Sequence, residues 1–220
     1  MFHVEAMEAV EDLFDAAVGT TATATGTADS GTAFSLTDAA LVDSATDWVF
    51  AVVTFGAGAA NAGKKRVVES ANDTTGTLTW REGLPTAVLA TDAYTVSFAH
   101  LGQATVYAGD QEAYSSNTRV VVGWTEELSE EPIGIGDSQG SSWQHIDLAI
   151  LGVIPYTGTT EADARVLGEQ IRTVLRANRD LAGIAHAGEV GRTRGPMLGE
   201  NVPGEKLRII EVRARWMGLI

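Results

Sequence analysis

Residues 143–175 read WQHIDLAILGVIPYTGTTEADARVLGEQIRTVL, and two different periods meet inside them. From Trp143 to Ile154, His145, Asp147 and Ala149 alternate with Ile146, Leu148 and Ile150, the two-residue repeat of a strand with one apolar face. After Pro155-Tyr156 the period lengthens. Thr160 stands where a helix cap would, Asp163 follows three residues on, and Val166, Leu167, Ile171, Val174 and Leu175 form an apolar stripe. The stretch therefore predicts a strand feeding a helix that ends near Arg179.

Further out, Leu207–Met217 alternates again. Leu207, Ile209, Glu211, Arg213 and Arg215 fall on one face, and Arg208, Ile210, Val212, Ala214 and Trp216 on the other. Upstream, Ala104–Ala108 and Thr118–Thr125 read as strands, the second around Val120-Val121-Val122. Between them and Trp143, the run Glu126–Ser142 is acidic and glycine-rich with Pro132, and predicts a long exposed loop. At the N-terminus, Val4, Met7, Val10, Leu13, Phe14, Ala17 and Val18 predict an amphipathic helix over Phe2–Val18, stopped by Gly19.

Residues 20–99 have another texture. Thr20–Ser30 is Thr, Ala, Gly and Ser, a linker or a loosely held first strand. Short β-branched and aromatic runs then predict strands at Ala33–Leu36, Trp48–Phe55, Lys65–Ser70, Gly76–Trp80 and Ala93–Phe98. Asn72-Asp73-Thr74-Thr75-Gly76 reads as a tight turn and 56–63 as a flexible loop. Regular short strands suggest a closed or nearly closed barrel, which removes exposed edges. The expected class is α+β: a mixed β-sheet with helices packed on one face, made from residues 1–19 and 100–220, with a small all-β barrel-like module inserted at 20–99. An insertion in a loop costs little closure entropy.

The chain has 220 residues, no cysteine and a formal charge of −14. Without cysteine there are no disulfides, thiolate metal sites or thiol nucleophiles. No apolar run is long enough to cross a bilayer and the acidic N-terminal stretch lacks a basic leader, so a soluble protein with no membrane partner is expected. Charge is uneven: −9 over residues 1–100, −7 over 101–160 and +2 over 161–220. The acidic part disfavours binding of nucleic acid by its surface. In the last third, Arg165, Arg172, Arg176, Arg213 and Arg215 are candidate contacts to an acidic neighbour, and Glu126, Glu127, Glu130 and Glu131 form a candidate docking arm.

Chemistry finds little support in the residues. His3, His100, His145 and His186 lie in unrelated contexts, none with metal-ligand spacing. Gly134-Ile135-Gly136-Asp137-Ser138-Gln139-Gly140 lacks the preceding strand and following helix that a dinucleotide needs. Gly63-Lys64-Lys65 is followed by Arg66 where a phosphate loop needs Ser or Thr. Ser138 with His145 and Asp147 lacks a nucleophile elbow. The expectation is no enzyme, no metal and no cofactor. Trp48, Trp80 and Tyr94 supply an alternative, a module that grips a glycan or host surface by ring stacking.

The order of outer elements, with the early pair of strands, the strand ending in Pro155-Tyr156, the capped helix Glu161–Leu175 and the closing strand, resembles the tail-terminator and related head-tail joining proteins of long-tailed phages and related archaeal viruses. The inserted piece is similar to a β module that recurs in virion proteins. It carries Leu41-Val42-Asp43-Ser44, Trp48, Val53-Thr54-Phe55, Asn61-Ala62-Gly63, Arg66-Val67-Val68, Gly76-Thr77-Leu78-Thr79, Leu84-Pro85 and Asp92-Ala93-Tyr94. The resemblance implies a structural virion protein located in the tail or neck and assembled in the host cytoplasm. It implies a homo-oligomer, commonly a hexameric ring, that caps the tail tube protein and meets the head-tail connector protein, with genomic DNA passing only as cargo. A head-completion or neck connector subunit is the neighbouring expectation.

Overall fold

The computed structural model describes residues 2–19, 21–109, 117–132, 142–156, 161–185, 187–200 and 206–219. By contacts the chain divides into two units, Thr20–Gln103 and Met1–Gly19 with Ala104–Ile220. The class is mixed α+β and largely β, with three sheets among the described residues.

Unit Thr20–Gln103 holds β1 (Thr23–Thr27), β2 (Ser30–Gly31), β3 (Ser35–Thr37), β4 (Val52–Phe55), β5 (Lys65–Val67), β6 (Ser70–Asn72), β7 (Thr77–Thr79) and β8 (Ala93–Ser97). They form two antiparallel sheets, ordered β1-β8-β4-β5 and β2-β3-β7-β6. Leu36, Val53, Phe55, Leu78, Trp80 and Val96 meet in one core between them. The barrel is not closed. The chain changes sheet at two corners, where successive amides turn to opposite sides: Ala28 N–H donates to Asp92 and Asp29 N–H to Thr37, while Val68 N–H donates to Ala51 and Glu69 N–H to Thr79. A ladder cannot run through such a corner, so each sheet keeps its own edges.

Two expectations from the sequence are corrected here. The single strand over Lys65–Ser70 is two strands in different sheets. The expected strand over Trp48–Phe55 shortens to β4, because Phe50 has a φ of 71° and breaks extension. Of the two readings of Thr20–Ser30, the first strand is the one observed, since β1 pairs with β8 along its whole length.

Polar residues that look available in the sequence are pins for loops. Asn61 is buried and grips the backbone of Thr86 with both ends of its amide, Nδ2 donating to the carbonyl at 2.9 Å and Oδ1 accepting from the amide at 3.3 Å. Arg66 donates to the carbonyls of Lys65, Glu82 and Gly83, each at 2.7 Å. Tyr94 Oη donates at 2.7 Å to buried Asp38 Oδ2.

The second unit holds α1 (Phe2–Ala17), β9 (Thr105–Ala108), β10 (Arg119–Pro132), β11 (Ser142–Pro155), α2 (Glu161–Ala177), β12 (Ala187–Glu200) and β13 (Lys206–Leu219). Its sheet is ordered β12-β13-β11-β10-β9, antiparallel except where β9 runs parallel to β10. Val122, Ile150 and Val212 stand in register across three strands, all at 0% exposure, and define the apolar face. α2 lies on β11, β13 and β12, α1 on β9, β10 and β11, and the two helices touch, forming one layer. The buried stripe of α2, Ala164, Leu167, Gly168, Ile171, Val174 and Leu175, keeps helical spacing. Glycine at 152 and 168 sets how close this helix comes: a Cβ on Gly152 would stand 2.8 Å from Ile171 Cδ1 and 2.9 Å from Leu167 Cδ2.

Two further expectations fail here. The predicted loop Glu126–Ser142 is partly strand. After a register shift between Trp124 and Leu128, β10 continues to Pro132, because β11 offers pairing partners as far as Ser142. Only residues 133–141 of that loop lie outside the described residues, along with Thr160 and its expected cap. The second miss is β12 itself, which pairs with β13 from Ala187 to Glu200 through two irregularities. Gly188, Gly191, Gly195, Pro196 and Gly199 hide it, for glycine and proline are depleted in strands.

Candidate assembly surface

β13 alternates, so the face away from the helices carries Glu211, Arg213 and Arg215, and register places Asp147 of β11 beside Arg215 and Glu189 of β12 on its other flank. Arg215 donates to both carboxylate oxygens of Asp147, at 2.5 and 2.6 Å. Arg213 donates to Glu211 at 2.5 Å. Arg192 and Arg194 of β12 are exposed and make no ion pair among the described residues. These four arginines, with Asp147 and Glu189, line a shallow cavity of about 380 Å³. Four guanidiniums stand against three carboxylates there, Asp147, Glu189 and Glu211, the last opposite Arg194 in register, so the surface keeps a small positive excess on an acidic chain.

β12 is the edge of this sheet, and it exposes Met197 at 45% and Leu198 at 67%. Its irregularities and arginines are devices that keep an edge from pairing indiscriminately.

The other predicted contacts are spread out. On α2, Arg165 pairs with Glu161 at 2.6 Å, and Arg172 and Arg176 share Glu169 at 3.6 and 2.9 Å. Arg176 retains only 13% side-chain exposure, so it serves the helix more readily than a neighbour. Glu126 and Glu127 fall within the register shift of β10, whereas Glu130 and Glu131 lie opposite Gln144 and Trp143. Only Arg213 and Arg215 of the predicted set come together in the cavity.

Sequence reading overlooked α1 as a surface. Glu5, Glu8, Asp12 and Asp15 are exposed, at steps of three, four and three, opposite the buried line Ala6, Val10 and Phe14. α1 has no basic residue in its last turn, where Asp15 faces the negative end of the helix dipole. Burial, then Asp15, Asp12 and Glu8, raise the carboxyl of Glu11 above its ordinary range. The signal was in the spacing, but the apolar stripe drew the reading to the other face.

His145 and Asp147 share the open sheet face, yet the carboxylate of Asp147 is engaged by Arg215, and Ser138 lies outside the described residues. Among the described residues no three His, Asp or Glu side chains are grouped to hold a metal, and no helix is long and apolar enough to cross a membrane. Trp48, Trp80 and Tyr94 are 5%, 3% and 3% exposed and belong to the module core. Trp48 stacks on Phe98 at 5.8 Å and Trp80 meets Phe55 edge-on at 6.1 Å.

No family model matches this chain. No curated protein matches it either.

Proposed function

We propose that this chain is a structural protein of a viral tail, a subunit of the ring that caps the tail tube and joins it to the head connector. The observation that carries the reading is the β12 edge of the five-stranded sheet. There a 14-residue strand presents two exposed arginines, Arg192 and Arg194, that make no ion pair among the described residues, and two exposed apolar side chains, Met197 and Leu198, which suits contact with protein. The resemblance in element order supplies the kind of assembly. In this reading the sequence provides surfaces for other protein subunits and no catalytic centre, and DNA meets the ring only as cargo.

Three measurements test the proposal. The mass of the purified chain in solution should be that of a closed ring, with six subunits expected, and an antibody to it should label the junction of head and tail in virions. Added to growing tail tubes, it should stop elongation. Labelling of the capsid shell or the tail tip would overturn the reading, and a neck label without arrest of the tube would reassign the chain to the connector side.

A further inference from the structure

The two charged surfaces described above cannot satisfy each other within one molecule. α1 lies in the helix layer, whereas the arginine cavity opens on the opposite face of the same sheet. We propose that the arginine cavity of β12 and β13 receives the acidic stripe of α1 from a second copy of this chain. This deepens the ring reading and rests on it.

Charge selects the occupant. A second copy approaching with its own cavity would set Arg192 and Arg194 against themselves, and two α1 stripes would do the same with carboxylates; like charges across an interface are costly. The stripe of one copy on the cavity of another pairs opposites. α1 also has the most to gain. Its acids crowd one another, Glu11 is already held toward its neutral form, and its C-terminal turn lacks a cation. An arginine from outside answers all three.

The dimensions agree. From Glu5 to Asp15 the stripe runs about 15 Å at 1.5 Å per residue. Adjacent acids on it are about 5–6 Å apart, and residues two apart on a strand, as Arg192 and Arg194 are, stand about 7 Å apart. Glu8 and Asp12 can therefore meet Arg192 and Arg194 together, leaving Glu5 and Asp15 for the rim. Asp147 and Glu211 keep Arg215 and Arg213 extended, so the cavity is organised before contact.

Symmetry follows. Patches on opposite faces form a heterologous interface, and such an interface propagates head to tail until it closes as a ring or continues as a filament. A twofold dimer cannot use both at once.

A charge swap on the full chain tests this by sedimentation. The variant Arg192→Glu/Arg194→Glu should lower the association constant at least about 100-fold, since it replaces attraction by repulsion. Glu8→Arg/Asp12→Arg should do the same, and the fourfold variant should regain most of the lost assembly. The wild-type ring should loosen between 50 and 500 mM salt, as exposed ion pairs do. A circular dichroism spectrum equal to that of wild type shows that each variant is folded. An intact ring in the arginine variant, or rescue by Glu130→Arg/Glu131→Arg in place of the α1 pair, overturns the inference while leaving the ring. A wild-type chain that stays monomeric at every concentration overturns both.

Discussion

Replacing Gly152 by alanine tests how tightly α2 is seated on the sheet. The new Cβ would point at Ile171 Cδ1 and Leu167 Cδ2 of α2, and at Ile210 Cγ2 of β13, at 2.8, 2.9 and 3.0 Å. A contact below about 3.0 Å forces a neighbour to shift, and these side-chain ends have little free room, since Leu167 and Ile171 are fully buried while Ile210 is 2% exposed. Moving one side chain away presses it into another. Overpacking of this kind costs about 1–3 kcal/mol. Against it stands the gain from a less flexible unfolded chain, about 0.5–1 kcal/mol. The net expectation is a loss of about 1–2 kcal/mol, or roughly 3–8 °C in melting temperature for a unit of this size. Calorimetry on the full chain is the assay, and only the transition of the unit that holds α1, α2 and β9–β13 should shift. Gly123 is the internal control on the same sheet. A Cβ there meets only the carbonyl oxygen of Ala149 at 3.6 Å, so Gly123→Ala should be neutral or stabilising by about 0.5 kcal/mol. If both variants melt alike, the close seating of α2 is wrong.

Two other outcomes follow from single groups. Tyr94→Phe leaves the buried Oδ2 of Asp38 without the donor it has at 2.7 Å, and should cost the module about 1–3 kcal/mol in urea unfolding. Burial, then the bond to Asp38, raise the ionisation of Tyr94 well above the usual tyrosine range. The folded state thus favours the neutral phenol, and its contribution is complete below pH of about 10 and declines above it; an ultraviolet titration should find one of the four tyrosines refusing to ionise before the module unfolds. Glu11→Gln removes a carboxylate whose charged form the fold disfavours, so it should stabilise α1 by a few tenths of a kcal/mol near pH 7. That gain should vanish near pH 3, where the native carboxyl is already protonated; an equal effect at both values would place the cause elsewhere.

What could be read from the residues was decided by burial. α2, β11 and β13 each bury one full face, and so their periods stand out: Leu167, Ile171 and Val174 in one, Ile146, Leu148 and Ile150 in the next, Ile210, Val212 and Ala214 in the third. β12 leaves most of its side chains at least partly open, so nothing constrained its residues to alternate, and glycine could enter wherever the strand turns irregular. The far half of β10 escaped for a related reason. It is built from acids and Pro132, and only its long partner β11 makes it a strand. The same blindness reached the surface. Arg213 and Arg215 could be nominated because a buried strand carried them, whereas Arg192 and Arg194 became neighbours of that pair only once β12 existed. A surface made for another protein is written in exposed residues, which obey the partner's shape and not this chain's core, and one sequence alone records only half of that match.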